Sequence, residues 1–565
     1  MIKKNKTARY LELNLADNPS AGRFMPAKFR PDTELEILRV LKRAASDKKI
    51  RGIILNTFGF TANQVRLWEL QSALGKCKAS GKKIIAYFDN ADFDLYCLLS
   101  LADKIVMDSA GTLNLMGYAW GRLFLKESLE KLGIGFRELR YLDYKSANET
   151  FSRTSISDAD REQYGAYLDE IFCLTKDTII RNRNLNEEDF NSFLKEGFLF
   201  SPVEAKNRNL VDALGREETI KETIKEMEFE DPAKGKLQFI AAGNPGFSVL
   251  GQKQSGYKPV RTRNPWAPEI AIVNAKGISD MEQGMKARTT SALIRELSKK
   301  SKIKALIVRI DSPGGSAVAA DFIRSAIEET KKKIPVVVSM GELAASGGYW
   351  ASMNASHIFA SPYTLTGSIG VIAGWFFDKG LNARLGFGYE AMTRGEHADL
   401  NTGVILPNRD LSEEEELRFR RCILDLYDEF VKKAAEGRNM KSEDMEALAR
   451  GKVYSGLAAQ RLGLIDSLGG FLEALETALK LAEIPGDKKI RIREYPKPDF
   501  YQKLAARLGA SISSSAQIAG FGNIHGLESV SGYNRIRELW EDLNYRISHK
   551  GEAMPILPLI PGNGA

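Results

Sequence analysis

Cysteine and histidine are scarce, with four of each in 565 residues. Cys77, Cys97, Cys173 and Cys422 stand far apart, with no paired spacing that would suggest a redox couple or a metal knuckle, so they read as ordinary semi-buried thiols. His357, His397, His525 and His549 form no HExxH or comparable ligand set, so no metal and no cofactor is expected. A concentrated basic block is also missing. Lys plus Arg total 81 against 73 Asp plus Glu, and the net charge of +8 is spread along the chain. This speaks against nucleic acid and for a mixed solvated surface, with weak attraction to acidic lipids as the alternative. The opening MIKKNKTARYLELNLADNPS lacks the apolar core of a secretory signal. Residues 343–377 carry no formal charge but are rich in Gly, Ser, Thr and Asn and include Pro362, which reads as buried α/β interior and not as a membrane span. The expectation is a soluble or peripherally bound chain.

What is present is a globular composition, 43% hydrophobic and 27% charged, in a chain too long for one small module. It is also a repeat. KKIRGIILNTFGF from Lys48 matches SKIKALIVRIDSPGG from Ser301, each a charged lead into a buried strand. Helical patterns follow, Val65, Leu67, Leu70, Ala73, Leu74 in one copy and Ala319, Phe322, Ile323, Ala326, Ile327 in the other. KKIIAYF then matches KKIPVVVSM, ADKIVMD matches ASHIFAS, and LFSPVEAKNRNLVDALG from Leu199 matches VYSGLAAQRLGLIDSLG from Val453, with Asp212 opposite Asp466. The offset stays near 253. The fold class is therefore α/β, a tandem duplication of a unit built from short β-β-α turns. The expected division is an N-terminal segment 1–47, a first repeat 48–228, a Gly/Pro/Lys-rich linker 229–268, a second repeat 269–485 and a tail 486–565. In the tail, a Ser/Gly-rich stretch precedes the amphipathic NRIRELWEDLNYRI and the apolar MPILPLIP.

The candidate chemistry is divided between the copies. In IDSPGGSAVAADFI, paired glycines sit between strand and helix, which suits an anion or thioester cradle, half of an oxyanion hole, or a plain turn. In VVVSMGELAASGGYWASMN, Ser346 sits after a strand among small residues and glycines, the setting of a nucleophilic serine or of a helix cap. No histidine is placed to serve it, because His357 falls in the strand-like HIFAS, so a buried lysine is the remaining base. A free lysine titrates at about 10.4, and base work near neutral pH needs burial to lower it. At the place of Ser346 the first copy has DNADFDLYC, with Phe93 in register. Conversely, its LRYLDYKSANETFSR carries Lys145, where the second copy's MTRGEHADLNTG has no lysine. Each copy lacks what the other keeps, which points to one composite site of Ser346 and Lys145.

Together DSPGGS, GELAASGGYW, TLTGSIGV, DYKSANETF and the VDALG and IDSLG blocks resemble the long, duplicated form of the signal peptide peptidase A (protease IV) family, from about Lys48 to Leu475. The resemblance implies a Clp protease/crotonase-like superhelix fold and a serine endopeptidase with a Ser-Lys dyad. It implies a bowl-shaped homotetramer acting on small or apolar peptides such as signal peptide remnants. It also implies that Ser346 is the nucleophile, Lys145 the base and Ser368 of TGSIG the residue orienting the lysine, with the N–H groups of Gly315 and Gly347 forming the oxyanion hole. The family's long form usually carries an N-terminal membrane anchor, and none is visible here. The resemblance therefore suggests the cytoplasmic membrane, and the visible sequence a cytoplasmic or peripheral place. Two other readings stand beside this one: a crotonase-type acyl-CoA enzyme, which would leave Ser346 idle, and a silent scaffold that binds peptides.

Overall fold

A computed structural model describes residues 7–15, 33–242, 255–258, 262, 264–485 and 488–496. The β-branched runs form two sheets with matching strand order. In the first, Lys236–Ala242, Thr7–Asn14, Gly52–Asn56, Lys83–Ala91 and Lys104–Asn114 lie side by side and all parallel. In the second, Arg491–Tyr495, Glu269–Lys276, Ile303–Ser312 and Val336–Ala345 repeat that order, also parallel. The fifth place is taken by one long strand in the first sheet. The second sheet fills it with two short ones, His357–Ala360 and Leu365–Gly367, split by the turn around Pro362. Short strands of the shared late block close both edges. Leu199–Phe200 and Val453–Ser455 pair antiparallel, while Ala213–Leu214 and Ser467–Leu468 pair parallel. Parallel strands buried on both faces need continuous apolar runs, which is what GIILN and the middle of IKALIVRIDS supply.

Each unit also has a 26-residue helix, Asp158–Arg183 and Glu413–Arg438, capped by a serine, Ser157 or Ser412, and ended by a left-handed asparagine, Asn184 or Asn439. The helices Gln64–Ala79 and Ala317–Lys331 follow the expected periodicity, except that Phe322 is exposed and not part of the core face. One apolar cluster spans both units, running from Leu11, Ile53 and Leu74 to Ile272, Ile307 and Leu475. The buried Arg309–Glu69 ion pair, 2.8 Å, crosses the same contact. A second link is an antiparallel ribbon of Ile134–Leu139 from the first unit and Ala373–Asp378 from the second. The site is built beside this ribbon.

The sheets run past the boundaries expected from the sequence. Thr7–Asn14, in the segment expected to stand apart from the repeat, lies inside the first sheet with both neighbours paired; its polar residues disguise it, with Glu12 buried and Thr7 and Asn14 exposed at its ends. Lys236–Ala242 and Gly256–Tyr257 are strands within the expected linker. Arg491–Tyr495, expected in the tail, completes the second sheet because its charged residues can face solvent at an edge. The tail's Ser/Gly-rich, amphipathic and terminal apolar stretches lie outside the described residues. Residues 343–377 are almost wholly buried in the second unit, and no helix among the described residues is long and apolar enough to cross a membrane. Cys77 and Cys97 are buried free thiols, whereas Cys173 and Cys422 are exposed and so depart from the semi-buried expectation.

Candidate active site

Parallel strands deliver their C-terminal ends, with the loops that follow, to one end of a sheet, and the second sheet collects its glycine-rich loops there. Val336–Ala345 ends at Ser346, which caps the short helix Gly347–Ser352 with φ 56° and ψ −114°. A serine held at positive φ is strained, and a strained turn between strand and helix is how a nucleophilic side chain is pushed forward. The Ser346 N–H donates to Gly367 O at 2.8 Å and its carbonyl accepts from Trp350 N–H, so the backbone at this turn is fixed from both sides. Unlike an ordinary capping serine, Ser346 makes no side-chain bond to its own helix. Its hydroxyl is directed elsewhere.

Its partner is Lys145, 201 residues earlier, on the loop between Ile134–Leu139 and the short helix Glu149–Ser152. Lys145 Nζ stands 2.5 Å from Ser346 Oγ, 2.8 Å from Ser368 O and 2.9 Å from Ser368 Oγ. These are three neighbours for an amine, and none is a carboxylate. Lys145 is 1% exposed and Ser346 is 0% exposed. Burial alone drives the lysine well below its ordinary range, because nothing nearby compensates the ammonium charge. A neutral amine has two N–H donors and one lone pair, which matches two acceptors on Ser368 and one hydroxyl donor on Ser346.

The loop bearing Lys145 is fastened by groups that the motif reading overlooked. Arg122 donates to Ser146 O at 2.6 Å and pairs with Asp160 at 3.1 Å, both side chains being almost fully buried. Ser146 Oγ donates to Asp160 at 2.5 Å, and Gln163 Nε2 donates to Tyr144 O at 3.0 Å. Burial lifts the Asp160 carboxyl above its usual range, with Arg122 opposing. Gln163 Oε1 accepts from Val453 N–H of the second unit at 3.1 Å, tying the Asp158–Arg183 helix to the strand beside the site. Gly451, at φ +84°, lets this segment pass against Lys145: a Cβ there would lie 2.6 Å from the lysine's own N and Cβ. A signal for it exists in the sequence, since a glycine stands two residues before the late shared block in both copies, Gly197 and Gly451.

Gly315 and Gly347 are brought together. A Cβ on Gly347 would fall 3.3 Å from Gly315 N and 3.1 Å from Gly314 Cα, so the two backbones pass closely enough that a larger residue would have to push its neighbour aside. Around Gly315, the bridge to Ser279 uses Ser279 N–H to Gly314 O and Ser316 N–H to Ser279 O, both 2.7 Å, which leaves the intervening Gly315 N–H pointing the other way. His357 begins its strand, lies against Phe359 with the rings tilted by 42° and meets Ser467 Oγ at 3.2 Å, with no contact to Ser346 or Lys145; burial lowers its pKa. In the first unit, the matching strand-to-helix junction carries Asp92 as an ordinary cap, and Phe93 is packed among Tyr118, Phe172 and Phe190. Aromatic packing fills what is the Ser346 turn in the second unit.

The chain has relatives among known proteins. The model of Peptidase family S49 matches twice, over residues 76–230 and 328–485, more than half of the chain. A protein from Arabidopsis thaliana described as "Serine protease SPPA, chloroplastic" is 31% identical over 465 residues, 81% of this chain and 67% of that protein. "Protease 4" of Salmonella typhi is 30% identical over 471 residues, 81% of this chain and 73% of its own length. Among solved structures, a ClpP1 point mutant from Listeria monocytogenes matches 36% of this chain and 94% of its own at 18% identity and TM-score 0.25. A point mutant of the 1510-N membrane-bound stomatin-specific protease, in complex with a substrate peptide, matches 43% of this chain and 98% of its own at 17% identity and TM-score 0.27.

Proposed function

The chain belongs to peptidase family S49 and is a serine peptidase by that membership, and we propose that it is an endopeptidase working through Ser346 and Lys145. The observation that carries this reading is an uncompensated, fully buried amine 2.5 Å from the hydroxyl of a strained serine. In the proposed cycle, Ser368 O and Oγ hold the two N–H bonds of neutral Lys145, so its lone pair faces Ser346 Oγ. The amine takes the hydroxyl proton as Oγ attacks the peptide carbonyl carbon. Negative charge then grows on the carbonyl oxygen, where the N–H groups of Gly315 and Gly347 would meet it; one such donor is worth about 3 kcal/mol of barrier in comparable sites. The ammonium returns its proton to the leaving amine as the C–N bond breaks, leaving an acyl-serine. Water, deprotonated by the same lysine, attacks the ester and restores the serine.

A preference for small or apolar residues beside the scissile bond, as in signal peptide remnants, is part of this proposal; Ala344 and Ala345, next to the nucleophile, are themselves fully buried. The homotetramer belongs to the same proposal. Phe387, Tyr389, Met392, Val404 and Ile405 are exposed together in one stretch of the second unit, a surface that a second copy would cover. Neither an acyl-CoA enzyme nor a silent scaffold uses an amine held against a serine hydroxyl. The deciding experiment is cleavage of a fluorogenic peptide library by wild type, Ser346→Ala and Lys145→Ala. Cleavage by wild type alone, with all three folded, is expected. Turnover at the wild-type rate by Lys145→Ala would refute the dyad.

A further inference from the structure

The opposite end of the second sheet has a different chemistry. Glu269 is in register with both Ile303 and Arg491, and Leu306 with Val336, so the four parallel strands start at the same end of the sheet, Val336 three residues further in. Ser346 lies at the far end of Val336–Ala345, ten residues away, or about 30 Å at ~3.3 Å per residue. At the starting end the strands are entered through lysines. Lys302 and Lys304 flank Ile303, Lys331, Lys332 and Lys333 lead into Val336, and Lys488 and Lys489 precede Arg491. An open cavity of about 950 Å³ at this end is lined by Trp266 together with Lys300, Lys302, Lys304, Lys488 and Lys489.

Few of these charges are answered. Lys300 pairs with Glu296 at 2.6 Å. Glu269, a carboxylate at the strand starts, is buried and faces Arg491, Arg493 and the Tyr495 hydroxyl. Among the described residues, Lys302, Lys304, Lys488 and Lys489 have no acidic partner. Beside them Trp266 is 88% exposed, more than any other large aromatic side chain among the described residues. Its indole is held out by a fixed backbone. Trp266 N–H donates to Asn264 Oδ1 at 3.0 Å, and Arg491 donates to Pro265 O at 2.9 Å. An exposed indole among unpaired lysines matches the layer where lipid headgroups meet acyl chains: the ring is amphipathic, and each ammonium gains from a negative surface. Single-stranded nucleic acid is a poorer fit, since it stacks on successive aromatic faces and one ring stands here.

We propose that this lysine and tryptophan face docks the chain on a bilayer carrying anionic phospholipid headgroups, with the Ser346 end of the sheet turned away from the lipid. The inference is independent of the catalytic reading. The test is sedimentation of the full chain with phosphatidylcholine vesicles, with and without phosphatidylglycerol, while tryptophan emission is followed. The wild type should bind only the anionic vesicles, more weakly as salt rises, with a blue shift that is lost in Trp266→Ser. Combining Lys302→Gln, Lys304→Gln, Lys488→Gln and Lys489→Gln should weaken binding by roughly 500- to 1,000-fold, at about fivefold per lysine. An unchanged melting temperature serves as the fold control for both variants. Equal binding to both vesicle types would overturn the proposal, as would wild-type affinity in the quadruple variant, or duplex or single-stranded DNA that competes the vesicles off.

Discussion

Lys145→Met gives a test of the lysine that does not depend on knowing a substrate. Methionine keeps the length and volume of the side chain but has no ionisable group. In wild type the amine is fully buried without a counter-ion, so its pKa falls well below 10.5 in the folded chain, while the unfolded chain keeps an ordinary lysine. Between those two values the unfolded state binds the extra proton. Folding stability therefore rises with pH at 2.303RT, about 1.4 kcal/mol per unit, until the unfolded lysine also loses its proton. Lys145→Met removes that slope. The variant also loses the contacts of 2.5, 2.8 and 2.9 Å to Ser346 and Ser368, at about 1 kcal/mol each, but this loss is the same at every pH. The sign of the difference at one pH is therefore uninformative, and its slope decides. Calorimetric melting of both proteins at pH 8.5 and 9.5 should show the wild type gaining relative to the variant by about 1.4 kcal/mol. That corresponds to roughly 4 °C for a unit of this size. Parallel behaviour of the two proteins across that interval would mean that the lysine stays charged in the fold, and the base mechanism would fail with it.

Ser368→Ala removes one of the two acceptors that hold the amine but leaves Ser368 O; kcat for peptide cleavage should fall by about tenfold or more with KM little changed, and a change confined to KM would place Ser368 in substrate binding instead. Gly451→Ala puts a methyl group 2.6 Å from Lys145 at a strained φ, so activity should fall at least tenfold, and a fully active variant would show that the lysine loop yields freely. Asp160→Asn leaves buried Arg122 without its near partner and should destabilise by about 3 kcal/mol in thermal or denaturant unfolding, whereas a change below about 0.5 kcal/mol would remove the pair from the set of groups that anchor the loop.

Much of the architecture is legible in the sequence because a parallel strand buried on both faces has to be written as a β-branched run, and GIILN, ALIVRI and PVVVSM are such runs. Strands at the margins follow looser rules. Thr7–Asn14 carries Thr, Arg, Glu and Asn, and RIREY at 491–495 alternates charge with bulk, so both read as flanking segments until their pairing is seen. The proximity of Lys145 and Ser346 could be anticipated from complementary losses in the two copies, an argument about chemistry and not about contacts. The Arg122 and Asp160 pair could not, since two charged residues 38 positions apart look like solvated surface until burial joins them. The lysine face shows the same blindness on a larger scale. Its lysines arrive in short groups, KKSKIK at 299–304 and KK at 488–489, about 190 residues apart, and the parallel sheet gathers them.

The distribution of the site over two repeats has a consequence for the history of the chain. A duplicated unit ordinarily frees one copy to drift or to be deleted. Here the first copy has Phe93 packed where a serine would stand, and the second has no lysine in MTRGEHADLNTG, while Gln163 and Gly451 join the two around Lys145 and Ser346. Under the proposed mechanism either copy alone is inert, and restoring autonomy would require a serine, a lysine and their supporting loops to reappear together. The duplication has become a ratchet: each half's loss is tolerated only because the other half stays, so neither gene segment can be shed or exchanged by itself.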